Sequence, residues 1–344
     1  MMIGEERGSD LDEPVFADIE MAADRARRAV TTTPLLESSP LSERLGFRIL
    51  VKAESLQKTG SFKFRGAFNF VSRLSEAVLK RGLLTFSSGN HGQAVAAAAK
   101  MYGSPAVILM PKDAPSIKIS KTRDLGAEII LYDRYSDIRE EIGEKLVIER
   151  GLTLVPPYDH RSIIAGQGTL GLEAAKQAKE LGVGIGCVLV PCGGGGLVSG
   201  VALAIKEEFP SARIFCVEPE GFDDTRRSLR GGSRQSNDPG SRSICDALQS
   251  PTPGVVTFGI NQLLLTDGLV VSDDETQRAM ATAFSEFRLV LEPGGAIALA
   301  AAMSGKLDAS GKSVMVIASG GNVDPALFAS AVAGGCFGGS VGLR

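Results

Sequence analysis

A chain of 344 residues, 44% hydrophobic and 22% charged, has the length and composition of a globular protein with one large or two medium-sized cores, which excludes general disorder. Its formal net charge of -3 leaves no basic excess for nucleic acid or anionic lipid, so small molecules are the expected partners. Five cysteines without CxxC spacing fit a reduced compartment, two histidines are too few for a histidine-rich zinc site, and no apolar run approaches the roughly 20 residues of a membrane span.

The start, MMIGEERGSDLDEP, is acidic where a signal peptide would be basic and then apolar, so a cytoplasmic location is expected. From about residue 47 a short apolar or β-branched run repeatedly precedes a longer segment with helical spacing. Strands are predicted over 47–53, 82–86, 106–110, 128–131, 187–190, 213–217, 268–271 and 313–318, and helices over 62–75, 91–102, 136–150, 168–181 and 273–287. This alternation implies an α/β fold, and so many strands imply two open parallel sheets. The expected division is a small domain, 52–150, inserted into a larger one made of 1–51 and 151–344.

In chain order, the first strand leads into Lys58-Thr59-Gly60-Ser61-Phe62-Lys63, a Gly-Ser turn that runs into a helix with Lys63 in its first turn. A helix N-terminus and cationic neighbours lower an amine's pKa, and a neutral lysine forms a Schiff base with an aldehyde. A solvated lysine at a helix start has the same local sequence. After the second strand, Ser87-Ser88-Gly89-Asn90-His91-Gly92 places four polar side chains and two glycines before an alanine-rich helix, a junction suited to holding a carboxylate.

Further along, Gly166-Gln167-Gly168-Thr169-Leu170-Gly171 matches GxGxxG, but no strand precedes it and no acidic ribose ligand follows, so dinucleotide binding is discounted. Cys192-Gly193-Gly194-Gly195-Gly196-Leu197 lies flush between an apolar strand and an apolar helix. Four bare backbone units there read as a phosphate cradle rather than a linker. The stretch 230–253 reads as a long surface loop, and Ser272 to Glu275 as a capping box. The last strand ends at Ser319-Gly320-Gly321-Asn322, where Ser319 is either a ligand of a ring nitrogen or a turn residue.

Together SFKFRGA, SSGNHGQA, GGGGL and SGGN resemble, in order and spacing, the fold-type II pyridoxal-phosphate (PLP) enzymes of the tryptophan synthase β-like family. The resemblance runs from about Ala29 to Ala331 and is greatest to the threonine/serine dehydratases, serine racemases and 3-hydroxyaspartate dehydratases. It implies PLP in the interdomain cleft, with Lys63 as the Schiff-base lysine and Phe62 against the ring. Asn90 would meet the phenolic oxygen, Gly193, Gly194, Gly195 and Gly196 with Leu197 the phosphate, and Ser319 the pyridine nitrogen. Ser87, Ser88, Asn90, His91 and Arg139 would bind substrate, although a solvated helix arginine accounts equally for Arg139.

The same resemblance implies an ammonia-lyase that converts L-threonine, L-serine or 3-hydroxyaspartate to a 2-oxo acid, with Lys63 taking the Cα proton. Ser88, where typical threonine dehydratases carry alanine, raises the alternative of a racemase; a cysteine-synthase-like β-replacement transferase is the third reading. Glu218, the Phe222 carbonyl and Asp224 match the relatives' divalent-cation site, for Mg²⁺ or else Ca²⁺ or Mn²⁺, where a strand-end acidic loop is the alternative. Cys245-Asp246-Ala247 stands where relatives have Ala-Asp-Gly, near the expected substrate pocket. Relatives are mostly homodimers, and a homodimer is the expected assembly.

Overall fold

A computed structural model of the chain describes residues 12–87, 89–114, 116–133, 136–309 and 311–337. Ten strands lie among them: β1 (Leu35–Glu37), β2 (Arg48–Ala53), β3 (Leu83–Phe86), β4 (Ala106–Pro111), β5 (Glu128–Tyr132), β6 (Thr153–Leu154), β7 (Cys187–Pro191), β8 (Arg213–Pro219), β9 (Asp267–Val271) and β10 (Ser313–Ala318). Six form one sheet in the order β1-β2-β10-β7-β8-β9 and four form another in the order β5-β4-β3-β6. All pairings are parallel except β1 with β2.

The eight predicted strands are all present, and β1 and β6 were not foreseen. At three and two residues they are too short to display a period. β2 carries Lys52 and Ala53 within the six-stranded sheet. That sheet is buried on both faces, so its central strands are apolar throughout. Leu189 and Val316 pack with helix Pro293–Met303 on one side, while Val188, Val190, Met315 and Ile317 pack with helices Arg161–Glu180 and Gly196–Glu208 on the other. Among the described residues no helix is long and apolar enough to cross a membrane, and Cys187, Cys192, Cys216 and Cys245 are free and buried.

Several helix limits differ from expectation for local reasons. The helix expected over 168–181 begins at Arg161, because His160 caps it by accepting the Ser162 N–H at 3.0 Å. The GxGxxG segment therefore lies inside a helix rather than in a phosphate loop. The helix expected over 62–75 is Lys63–Val71, and Ser75 instead caps the next helix, Glu76–Arg81. The helix expected over 136–150 starts at Arg139, since Asp137 turns back onto the Asp133 N–H at 2.7 Å. The Ser272–Glu275 capping box is formed, and its helix, Asp273–Thr282, passes into a π turn, Ala283–Phe287.

Helix Arg161–Glu180 is the pillar that orders the site, because the Lys63 helix and the helix after the glycine loop both pack on it. Their backbones approach closely through glycines. A Cβ on Gly166 would lie 2.7 Å from the Gly66 Cα, and one on Gly200 would fall on the Ile164 carbonyl oxygen and 2.6 Å from the Gly168 nitrogen. Beneath the Lys63 helix, Arg65 donates Nε and Nη2 to the two Glu54 oxygens at 2.8 Å each and also pairs with Glu173, which accepts from Lys52 Nζ at 2.5 Å. Two buried cations, the buried Glu54 and the partly exposed Glu173 thus form a closed set. Burial would lower the Arg65 guanidinium, and Glu54 and Glu173 outweigh it, holding it above its ordinary value.

Gly200→Ala tests the close approach. Alanine in a helix gains up to about 1 kcal/mol over glycine, whereas overpacking against backbone costs about 1–3 kcal/mol. The expected outcome in urea unfolding is net destabilisation; a stabilised variant would show that the helices can part freely.

Candidate active site

The carboxyl ends of strands from both sheets open into one cleft of about 970 Å³. Side chains just past β2, β3, β7 and β10 line it, as expected where parallel strands end. Lys63, Asn90, His91, Ser87, Phe62 and Ser319 all reach it, as do Gly193 to Leu197 and Arg139. Ser88 lies outside the described residues.

Two backbone stitches set Lys63 against the end of β10. The Phe62 N–H donates to the Ser319 carbonyl at 3.0 Å, and the Gly321 N–H donates to the Gly60 carbonyl at 2.9 Å. Lys63 Nζ donates to the Pro157 carbonyl at 2.8 Å and lies 5.3 Å from the centroid of the Phe62 ring. Burial pulls its pKa down to about 8, partly opposed by the Glu292 carboxylate. An amine so placed is still mainly protonated near physiological pH but has a far larger neutral fraction than an ordinary lysine.

Glu292 caps helix Pro293–Met303 at the cleft and accepts the Asn90 side-chain N–H at 2.6 Å. Burial pushes its carboxyl up to about 7, and the hydrogen bond from Asn90 works against that rise. Asn90 Oδ1 in turn accepts from Asn322 at 2.8 Å, and Asn322 also holds the Thr59 carbonyl at 2.7 Å. His91 meets the Val155 carbonyl at 3.1 Å through Nε2. A carbonyl only accepts, so Nε2 carries the hydrogen, and burial next to Lys63 drives the ring's pKa down to about 3, leaving it neutral.

The glycine loop leaves β7 and enters helix Gly196–Glu208 with Gly195 at φ 97°, a left-handed turn that favours glycine. A Cβ on Gly194 would strike the Tyr158 ring, and one on Gly195 would lie 2.8 Å from Thr257 Oγ1. Among the described residues none of the N–H groups of Gly193 to Gly196 donates to a protein acceptor. Unpaired donors at a helix N-terminus form an anion cradle. The loop's back is held by Asp159, whose carboxylate accepts the first three N–H groups of helix Val255–Leu264 at 2.7–3.1 Å and so anchors Tyr158 beneath Gly194.

The donors present fit PLP: an anion cradle for its phosphate, a partly neutral lysine amine for its aldehyde, an amide at Asn90 for its phenolic oxygen, and a hydroxyl at Ser319 for its ring nitrogen. Ser319 Oγ makes only a long 3.4 Å contact to the Gly294 carbonyl, so it is free to turn. Arg139 stands at the cleft mouth, about half exposed, paired with Glu140 at 2.7 Å.

Glu218, Phe222 and Asp224 do not line the cleft. They lie behind the glycine loop, which they meet through Cys192 Sγ, 3.4 Å from Thr225 Oγ1. Glu218 accepts the Thr225 and Arg226 N–H groups at 2.8 and 2.9 Å. Burial and then Asp224 push its carboxyl up to about 8; Asp224 itself is raised to about 6 by burial. Asp224 Oδ2 is buried without a hydrogen bond among the described residues.

The sequence reading missed Glu292, Tyr158 and Lys118, which also line the cleft, as does Asp246 of the Cys245-Asp246-Ala247 segment expected near the substrate pocket. Glu292 alone carried a signal: an acid directly after the apolar run Leu289-Val290-Leu291 and before a proline-led helix.

A family model described as Pyridoxal-phosphate dependent enzyme matches residues 26–320. The chain is 42% identical to an L-threo-3-hydroxyaspartate ammonia-lyase of Saccharomyces cerevisiae, over 93% of this chain and 97% of that one. It is 41% identical to a serine racemase of Schizosaccharomyces pombe, covering 90% and 95% of the two chains. The crystal structure of a threonine deaminase from T.th. superposes with a TM-score of 0.85 at 40% identity, covering 90% of this chain and 99% of that one.

A Lys63 amine titrating near 8 makes uptake of PLP by the apoprotein, read from the cofactor's visible absorbance, rise with pH through a midpoint near 8 and level off above it. Glu292 favours the charged ammonium, so Glu292→Gln moves that midpoint downward. An unmoved midpoint would show that the two groups do not interact.

Proposed function

The chain belongs to the pyridoxal-phosphate dependent enzyme family, and from that premise we propose that it is an ammonia-lyase of β-hydroxy amino acids. Its substrate class is L-threonine, L-serine and 3-hydroxyaspartate, and its products are a 2-oxo acid and ammonia. The observation that carries this reading is the convergence, in one cleft, of a lysine amine held near pKa 8 with an unpaired N–H cradle and the Asn90–Glu292 pair. The identities to an L-threo-3-hydroxyaspartate ammonia-lyase and to a threonine deaminase support it.

Bound in the cleft, PLP supplies an aldehyde for the substrate amine and a conjugated ring that draws electron density from Cα. Gly193 to Gly196 with Leu197 would hold its phosphate, Asn90 its phenolic oxygen and Ser319 its ring nitrogen, and Phe62 would pack against the ring. A serine hydroxyl, unlike a carboxylate, leaves that nitrogen largely unprotonated and favours prompt loss of the β-hydroxyl. Lys63 would take the Cα proton, and its lowered pKa matches it to that task near neutral pH. Ser87, Ser88, Asn90 and His91 receive the substrate carboxylate. Because its Nε2–H is held by the Val155 carbonyl and burial keeps the ring neutral, the His91 side chain has no proton to offer a carboxylate, and His91 would contribute through its main-chain N–H at the helix start. Closing of the four-stranded part of 52–150 over the six-stranded part would exclude water.

Glu218, the Phe222 carbonyl and Asp224 hold a divalent cation, Mg²⁺ or else Ca²⁺ or Mn²⁺. The orphaned Asp224 oxygen and a buried Glu218 carboxyl that burial and Asp224 raise support this reading. Among the described residues no three His, Cys, Asp or Glu side chains gather as a metal cage, which leaves the third protein ligand to a main-chain carbonyl. A cation there would brace the loop behind the phosphate. The protein works as a cytoplasmic homodimer, for which the exposed apolar Leu56 and Val290 offer contact surface.

Racemisation is a second activity of the same site, favoured by Ser88 and by the likeness to a serine racemase. Ser88→Ala is expected to remove enantiomer exchange while 2-oxo acid release persists; loss of both together would refute a separate role for the hydroxyl.

The deciding experiment is 2-oxo acid release from L-serine, L-threonine and the 3-hydroxyaspartate isomers. Turnover of at least one is expected, with Lys63→Ala lowering kcat by about 10²- to 10⁴-fold or more. No release from any substrate sinks the lyase reading. A chelator is expected to lower both activity and Tm, with Mg²⁺ restoring them, and Asp224→Asn to abolish the chelator effect; a Tm indifferent to chelator and Mg²⁺ would refute the cation.

A further inference from the structure

Across the cleft runs one ion pair that the chemistry above does not use. Lys118, on helix Ser116–Asp124 beside the four-stranded sheet, donates to Asp246 Oδ2 at 2.6 Å. Asp246 begins the short turn Asp246–Leu248, which packs on helix Pro293–Met303 of the six-stranded side. Both residues line the same cleft as Lys63 and Asn90. Their surroundings differ: the Lys118 side chain is 16% exposed, that of Asp246 58%. Both fields reach the floor of the site, since Asp246 raises the Glu292 carboxyl and Lys118 lowers it.

We infer that Lys118 is a specificity-determining residue whose ammonium, held at rest by Asp246, meets the second carboxylate of a dicarboxylic substrate. The inference rests on the lyase reading and narrows its substrate class to 3-hydroxyaspartate over threonine and serine.

The physical case is an exchange of partners. Lys118 is already largely withdrawn from water, so trading one carboxylate for another requires little further desolvation. Asp246 sits half in solvent and is rehydrated when released. A substrate with a methyl or hydrogen beyond its β-carbon has nothing to offer Lys118, and leaves the pair in place. Asp246 also repels any dicarboxylate that arrives while Lys118 is missing, which adds a repulsive element to the discrimination. Arg139 is less suited to the inner contact: it is about half exposed, engaged by its own neighbour Glu140, and its guanidinium rests 5.9 Å from the Phe86 ring centroid at the cleft mouth.

The test is the ratio of kcat/KM for L-threo-3-hydroxyaspartate to that for L-serine. Lys118→Met is expected to lower this ratio about 10-fold or more, as loss of a charge-assisted contact does, with Lys118→Arg restoring most of it. A ratio unchanged in Lys118→Met overturns the inference. Binding of succinate and butyrate to the holoenzyme, read from cofactor fluorescence, decides the matter without turnover. Succinate is expected to weaken about 10-fold more than butyrate in Lys118→Met and to tighten in Asp246→Asn. Equal weakening of the two acids overturns the assignment. Absence of 2-oxo acid from every substrate would strike the lyase reading alone, because the succinate titration still tests Lys118 directly.

Discussion

Arg65 holds this structure together at the point where it matters. It follows Lys63 by two residues, is 1% exposed, and makes five hydrogen bonds to Glu54, Glu173 and Thr169. Glu54 comes directly after β2, and Glu173 comes from the pillar helix Arg161–Glu180. The guanidinium therefore ties the Lys63 helix to the six-stranded sheet and to the pillar at once. Lys52 completes the set through Glu173 and the Thr33 carbonyl, so that no charge in it is left unmatched. Removing one member of such a set costs about 3–5 kcal/mol, because its partner stays buried without compensation. A looser connection would let Lys63 drift from the end of β10.

The cleft is built on opposed electrostatics. On one side the unpaired N–H groups of the glycine loop favour an anion, and on the other Glu292 makes the region around Asn90 negative when ionised. Lys63 lies between them, where burial favours its neutral form and Glu292 the charged one. The balance leaves an amine able to change its protonation state near neutral pH, which suits a group that both bonds to an aldehyde and carries a proton. Nearby His91 is kept out of this traffic, because burial and Lys63 leave it neutral, while the Val155 carbonyl fixes its tautomer.

Much of this was legible in one dimension. The eight longer strands are apolar because they are covered on one or both faces, and burial of that kind writes itself into composition. Asn90 and Gly193 to Gly196 stand out because polar or bare groups follow an apolar strand where a helix begins, Ser319 because it ends an apolar strand, and Lys63 because a Gly-Ser turn leads it into a helix. Less was legible where a signal needs length or partners. β1 and β6 are too short for a period, and His160 as a helix cap could not be told from a loop histidine. Gly166-Gln167-Gly168 matches a nucleotide-loop pattern that the absence of a preceding strand discounts, but only the fold shows that those glycines serve helix–helix contact with the Lys63 helix and with Gly200.

By itself the sequence determined the parallel α/β architecture, the order of the polar turns and the family, since these follow from local periodicity and from side chains close together along the chain. Only the tertiary structure decided which acids face the amine, what the Asp159 carboxylate caps, and that Lys118 and Asp246 meet across the cleft. Those partners are separated by 96 to 229 residues. Charge acts through space and burial depends on every neighbour, so neither the lowered pKa of Lys63 nor the pairing of Lys118 has a local signature to read.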